Sequence, residues 1–137
     1  VVSETSIGLI GEYIAAACLL SLGYRVALAA QDRVDLVCWN DEHILRVQVK
    51  SATLQHRNGR QSGYQFQLGS GSKKKKLPSV KDYDLVVCVG IDQRRCIMFA
   101  TEQLQQYTKR VTSKRFDNPQ IEYQTMAKAV EIIKARR

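Results

Sequence analysis

The run Asp84–Ile91, D-L-V-V-C-V-G-I, reads as a strand that meets water on neither face. A half-exposed strand alternates polar and apolar residues, and this one does not, so it belongs in the middle of a sheet with cover on both sides. Asp92–Arg94 turns the chain, and Arg95–Ala100 returns as its partner strand. With 137 residues there is room for one domain around one core. The expected fold class is therefore α/β: a mixed central sheet flanked by helices.

The most informative chemistry lies upstream, in V-D-L-V-C-W-N-D-E-H-I-L-R-V-Q-V-K-S-A, residues 34–52. Val34–Trp39 and Ile44–Lys50 are rich in β-branched and aliphatic residues and flank the polar Asn40–His43, which predicts a hairpin. Asp35 stands among Val34, Leu36 and Val37, where a carboxylate costs stability unless it is used. Gln48 and Lys50 are two apart and so leave their strand on one face, while Val47 and Val49 point to the core. An acid, an amide and a lysine converging on one face make the donor set of a metal site with a cationic helper. Exposed hairpins also carry such residues on a solvated face, so the triplet gains its meaning only from context.

A formal charge of +8 and a pI near 9.5 favour a polyanionic partner. No apolar run reaches the ~18 residues of a membrane span, and no signal peptide opens the sequence, so no membrane partner is expected. Cys18, Cys38, Cys88 and Cys96 form no C-x-x-C pair and read as reduced, buried thiols of a cytoplasmic protein, not as disulfides or zinc ligands.

Ile7, Ile10, Ile14, Ala17, Cys18 and Leu22 fall mostly at helical spacing, with capping residues at Ser3–Ser6 and a stop at Gly23. Gly8 and Gly11 each cost that helix about 1 kcal/mol against alanine and would admit a neighbouring backbone or a phosphate beside Glu12. Tyr24–Ala30 is the first strand. Thr53–Ser62 reads as a polar excursion, and Tyr64–Leu68 as a short strand with a glutamine face. Gly69–Ser72 is a flexible linker into Lys73, Lys74, Lys75 and Lys76, a run suited to clamping a DNA backbone. Thr101–Tyr107 has helical composition, Lys109, Arg110, Lys114 and Arg115 form a second basic cluster, and Gln124–Ala135 is the final helix.

Helix, strand, strand with Asp35, then Gln48-x-Lys50, resembles the pattern of the PD-(D/E)XK nuclease superfamily. G-E-Y-I-A-A-A-C-L-L is similar to the first helix of archaeal Holliday-junction resolvases. Y-Q-F-Q-L, the lysine-rich loop, D-Y-D-L-V-V-C-V and R-C-I-M-F-A resemble the small branch that includes a bacterial intron-encoded homing endonuclease. The resemblance spans about Gly8 to Ala100, leaving residues 101–137 as an unmatched C-terminal extension of a single domain. It implies catalytic roles for Asp35, Gln48, Lys50 and Glu12. Mg²⁺ (or Mn²⁺) would be held by Asp35, Gln48, Glu12 and the carbonyl of Val49 and would polarise a scissile phosphate. Val34 replaces the motif's proline, and Gln48 stands where most members carry an acid, which removes one charge from the site.

The implied activity is metal-dependent, sequence-specific cleavage of double-stranded DNA, with a structure-selective junction resolvase or a non-catalytic DNA-binding module as alternatives. Arg57, Arg60, Gln65 and Gln67 carry the forked side chains that suit base edges, and Lys73–Lys76 would meet phosphates. Cutting two strands needs two sites, so a homodimer or homotetramer is expected.

Overall fold

The computed structural model describes residues 2–57, 59–71 and 74–137, apart from the side chains of Ala30, Arg57 and Arg60. Ser3 caps helix α1 (Glu4–Ser21) by accepting the Ser6 amide, and the chain then enters β1 (Arg25–Gln31), β2 (Val34–Trp39) and β3 (Ile44–Ala52). β4 (Gln55–Arg57) and β5 (Arg60–Gln67) follow, then β6 (Leu85–Gly90), β7 (Arg95–Ala100), β8 (Thr108–Thr112) and helix α2 (Ile121–Arg136).

β6 is the fully buried strand its composition demands, and it sits inside a five-stranded mixed sheet ordered β1-β2-β3-β6-β7. Only the β3–β6 pair is parallel. One face carries both helices: Ala15 and Leu19 of α1 and Met126, Ala129 and Ile133 of α2 pack on Val47, Val49, Val87 and Met98. On the other face Val86, Cys88, Ile97 and Phe99 meet Tyr64, Phe66 and Val111 of a second sheet, ordered β4-β5-β8. Helices therefore cover one side and a small antiparallel sheet the other.

That second sheet corrects several sequence expectations. Thr53–Ser62 contains β4 and the start of β5, and Lys109 and Arg110 of the second basic cluster lie on β8, with Lys114 and Arg115 on the 3-10 turn that follows it. The helix expected over Thr101–Tyr107 is a single 3-10 turn, Thr101–Gln103, and α2 begins three residues earlier than its apolar spacing suggested.

Asp84, just before β6, ties β3 to the end of α2. Its side chain is 3% exposed and pairs with Arg46 of β3, Arg136 of α2 and the adjacent Arg137. Burial alone would raise this carboxyl; hydrogen bonds from Arg46 and Arg136 overcome it and hold its pKa below the ordinary value.

Candidate active site

The β2–β3 ladder ends at Leu36↔Val47, and Asp35 lies one residue beyond, where the two strands stop bonding. The amide of Val49 donates instead to Oδ2 of Asp35 at 2.8 Å. A carboxylate thus replaces a missing strand partner, which is why an acid is tolerated in an apolar run. Leu45, Val47 and Val49 are buried against the helices, so Gln48 and Lys50 leave the opposite face, as the period of two requires.

The side-chain oxygen of Gln48 is buried and accepts no hydrogen bond among the described residues. Such an acceptor costs about 1–3 kcal/mol unless a partner arrives. Burial lowers the pKa of Lys50, Asp35 and Cys88 act against that, and Lys75 adds to it. Glu12 arrives from α1: burial, then the charge of Asp35, raises its carboxyl above the ordinary range. The helix comes this close because Gly11 lies directly on Ser51 of β3, in space that a Cβ would need. Glu12, Asp35, Gln48, Val49, Lys50 and Ser51 all line one cleft of about 530 Å³.

A family model described as "PD-(D/E)XK endonuclease" matches residues 2–132. The chain belongs to that endonuclease family. Its fold is similar to the solved structure of a bacterial homing endonuclease, I-Ssp6803I, with a TM-score of 0.72 and 20% identity over 98% of this chain and 97% of that one. The similarity thus runs past Ala100, where the sequence motifs end, through β8 and α2. No curated protein matches the chain in sequence.

PD-(D/E)XK nucleases generally use divalent metal ions. The donors of this endonuclease fit such an ion: two carboxylates close enough to perturb one another, plus an orphaned amide oxygen, all hard oxygen ligands.

The cleft continues from the face that bears Gln48 and Lys50 onto Gln65 and Gln67 of β5. The two glutamines alternate with the buried Tyr64 and Phe66, so they share the polar face of the second sheet. Thr108 donates to Oε1 of Gln67 at 3.2 Å. Arg110 stands across from Gln65 and lies over Gly63, its guanidinium donating to the Gln61 carbonyl. Sequence reasoning placed Arg110 in a basic cluster without placing it beside Gln65, because only strand pairing reveals that neighbour.

Lys74, Lys75 and Lys76 are exposed, and the loop expected to be a free linker is closed by paired backbone hydrogen bonds between Ser70 and Lys76. Lys73 and the side chains of Arg57 and Arg60 lie outside the described residues. Gly8, the other odd glycine of α1, faces open space in the cleft. Among the described residues no helix is long and apolar enough to cross a membrane.

Proposed function

We propose that the chain is a divalent-metal-dependent endonuclease that cuts double-stranded DNA at a specific sequence, as a homing endonuclease does. The observation carrying this reading is the Gln48 oxygen, buried and unpartnered in a cleft shared with Asp35, Glu12 and Lys50. An acceptor left in that condition beside two carboxylates suits a cation better than it suits a stable surface hairpin.

Mg²⁺ or Mn²⁺, held by Asp35, Gln48, Glu12 and the Val49 carbonyl, would act as a Lewis acid on the scissile phosphodiester. The protein's own residues do the rest. The Val49 amide fixes the Asp35 carboxylate, so the main acidic ligand is set before DNA arrives. Lys50, withdrawn from water, offsets the charge that grows on the phosphoryl oxygens and orients the attacking water. Gln65 and Gln67 read base edges from the adjoining wall, together with Arg57 and Arg60. Lys74, Lys75 and Lys76, with Lys73, hold the phosphate backbone.

Cutting both strands requires two such sites, and the chain acts as a symmetric homodimer or homotetramer. Leu9, Tyr13 and Leu20, about half exposed along α1, and Leu28 of β1 offer apolar surface for that association. Four free thiols suit a reducing, cytoplasmic setting.

The test is incubation with plasmid, randomised duplex and a four-way junction, with Mg²⁺ or with chelator, beside the Lys50→Ala variant. Recurrent cleavage of one duplex sequence, lost with chelator and in the variant, is the expected result. Preferential cleavage of the junction would instead make it a resolvase, and binding without metal-dependent cleavage a non-catalytic module.

A further inference from the structure

On the helix-bearing side of the sheet, three ligating side chains from three elements come together. The sulfurs of Cys18 on α1 and Cys96 on β7 and a carboxylate oxygen of Glu122 on α2 all lie within 4.8 Å of one another. They are not a chance crowd of acids, because Glu122 is oriented. Arg95 donates through Nε to Oε1 at 3.0 Å, which turns Oε2 towards the thiols. Oε2 accepts the Cys96 amide at 3.1 Å and the Cys18 thiol at 3.5 Å. A ligand whose second oxygen is tied down by an outer partner is the usual arrangement of a metal-binding carboxylate.

We propose that Cys18, Cys96 and Glu122 form a binding site for a thiophilic divalent cation of the zinc class, separate from the oxygen-lined catalytic cleft. Zn–S bonds of about 2.3 Å and Zn–O bonds of about 2.0 Å put tetrahedral ligands roughly 3.5–3.8 Å apart. Atoms already within 4.8 Å reach that spacing by small side-chain rotations. Two sulfurs and one oxygen select a soft or borderline ion over Mg²⁺. Cys18 and Glu122 also line a cleft of about 390 Å³ with Ser21, Arg94 and Arg95, which would give an ion an entry path. Cys96 forms the closed back of the site and is fully buried.

Charge supports the assignment. Two thiolates and a carboxylate around a divalent ion leave one negative charge, and Arg95 is already in place to balance it. The two thiol protons leave to solvent on binding. Ligation would tie α1 to β7 and α2, three elements otherwise joined here by apolar packing and the Glu122 contacts.

The experiment is titration of the full chain with Cd²⁺ under a thiol-free reductant, followed by thiolate-to-metal charge-transfer absorption. One equivalent should produce the band. It should vanish in Cys18→Ser and in Cys96→Ser and persist in Asp35→Asn, whose change is confined to the other cleft. Glu122→Gln, which keeps an oxygen for Arg95, should retain the band while weakening Cd²⁺ binding roughly tenfold or more, at least the loss seen for an outer-shell partner. Zn²⁺ should raise the melting temperature of the wild type and not of Cys18→Ser. No band at one equivalent, a band that survives Cys18→Ser, or undiminished affinity in Glu122→Gln would each overturn the site. None of these readouts depends on DNA cleavage.

Discussion

The Val49 amide and the Asp35 carboxylate meet at 2.8 Å, one residue past the end of the β2–β3 ladder. Main chain therefore fixes the orientation of the carboxylate proposed as the principal acidic ligand, and side-chain exchange at position 35 should separate chemistry from binding. Asp35→Asn can keep the Val49 contact while losing charge, so cleavage should fall by about a hundredfold or more with DNA affinity unchanged or tighter. Lys50→Ala should show a comparable loss. Single-turnover cleavage and filter binding measure the two quantities, and a wild-type rate in either variant would remove it from the site.

Glu12 gives the pH dependence a sign. Burial and Asp35 both raise its pKa, so it ionises at a higher pH than a free glutamate. If its carboxylate is needed for the cation, the acid limb of kcat/KM should lie at a higher pH than a free glutamate would set. Glu12→Gln should lower activity across the range and abolish that part of the limb.

Gln48 tests the neutral ligand. Gln48→Glu adds charge at nearly constant shape and should tighten Mg²⁺ dependence while keeping most activity. Gln48→Leu should bind DNA and cut poorly. Equal Mg²⁺ titrations for glutamine and leucine would show that this oxygen, for all its isolation, is not a ligand.

The lysine run should act on phosphates. Replacing Lys73–Lys76 by glutamine should weaken every duplex alike, and each lost contact should reduce the slope of log affinity against log salt by about 0.9. An unchanged slope would make the run solvated surface.

Asp84 sets acid stability. Its pKa is depressed, so its contribution is present above the unfolded carboxyl value of about 3.9 and is lost as pH falls through the lower folded value. Asp84→Ala removes the shared partner of Arg46, Arg136 and Arg137 and should cost about 3 kcal/mol in urea unfolding at neutral pH, the low end for opening a buried pair because Arg136 keeps Glu102 and the others keep backbone carbonyls. The difference should shrink below about pH 4.

The strands that announced themselves are those whose residues face apolar layers. β6 did so through an unbroken apolar run, and β2 and β3 through runs that set Val47 and Val49 against Gln48 and Lys50. Asp35 stood out as an acid in an apolar run, Gln48 and Lys50 as polar residues sharing one face of β3, and Glu12 through the resemblance of its helix. β4 and β8 were not, since each is short and polar; of the five residues of β8 only Val111 is buried, and its identity comes from pairing with β5. The Cys18–Cys96–Glu122 cluster left no spacing signal at all. Its members lie far apart in the chain and are joined only by the packing of α1 and α2 on β7.

Tyr64 of β5 lies over Gly90 at the end of β6, where a Cβ would come within 2.9 Å of the ring, with Phe116 edge-on and Gln93 accepting its hydroxyl. One aromatic ring thus acts as a spacer that sets the height of the small sheet above β6 and its neighbours. Its row on β5 is structural, and the alternate row, Gln65 and Gln67, faces away from it. The two rows can vary independently: residues of the outer row can be exchanged while the spacer keeps the two sheets at the same distance.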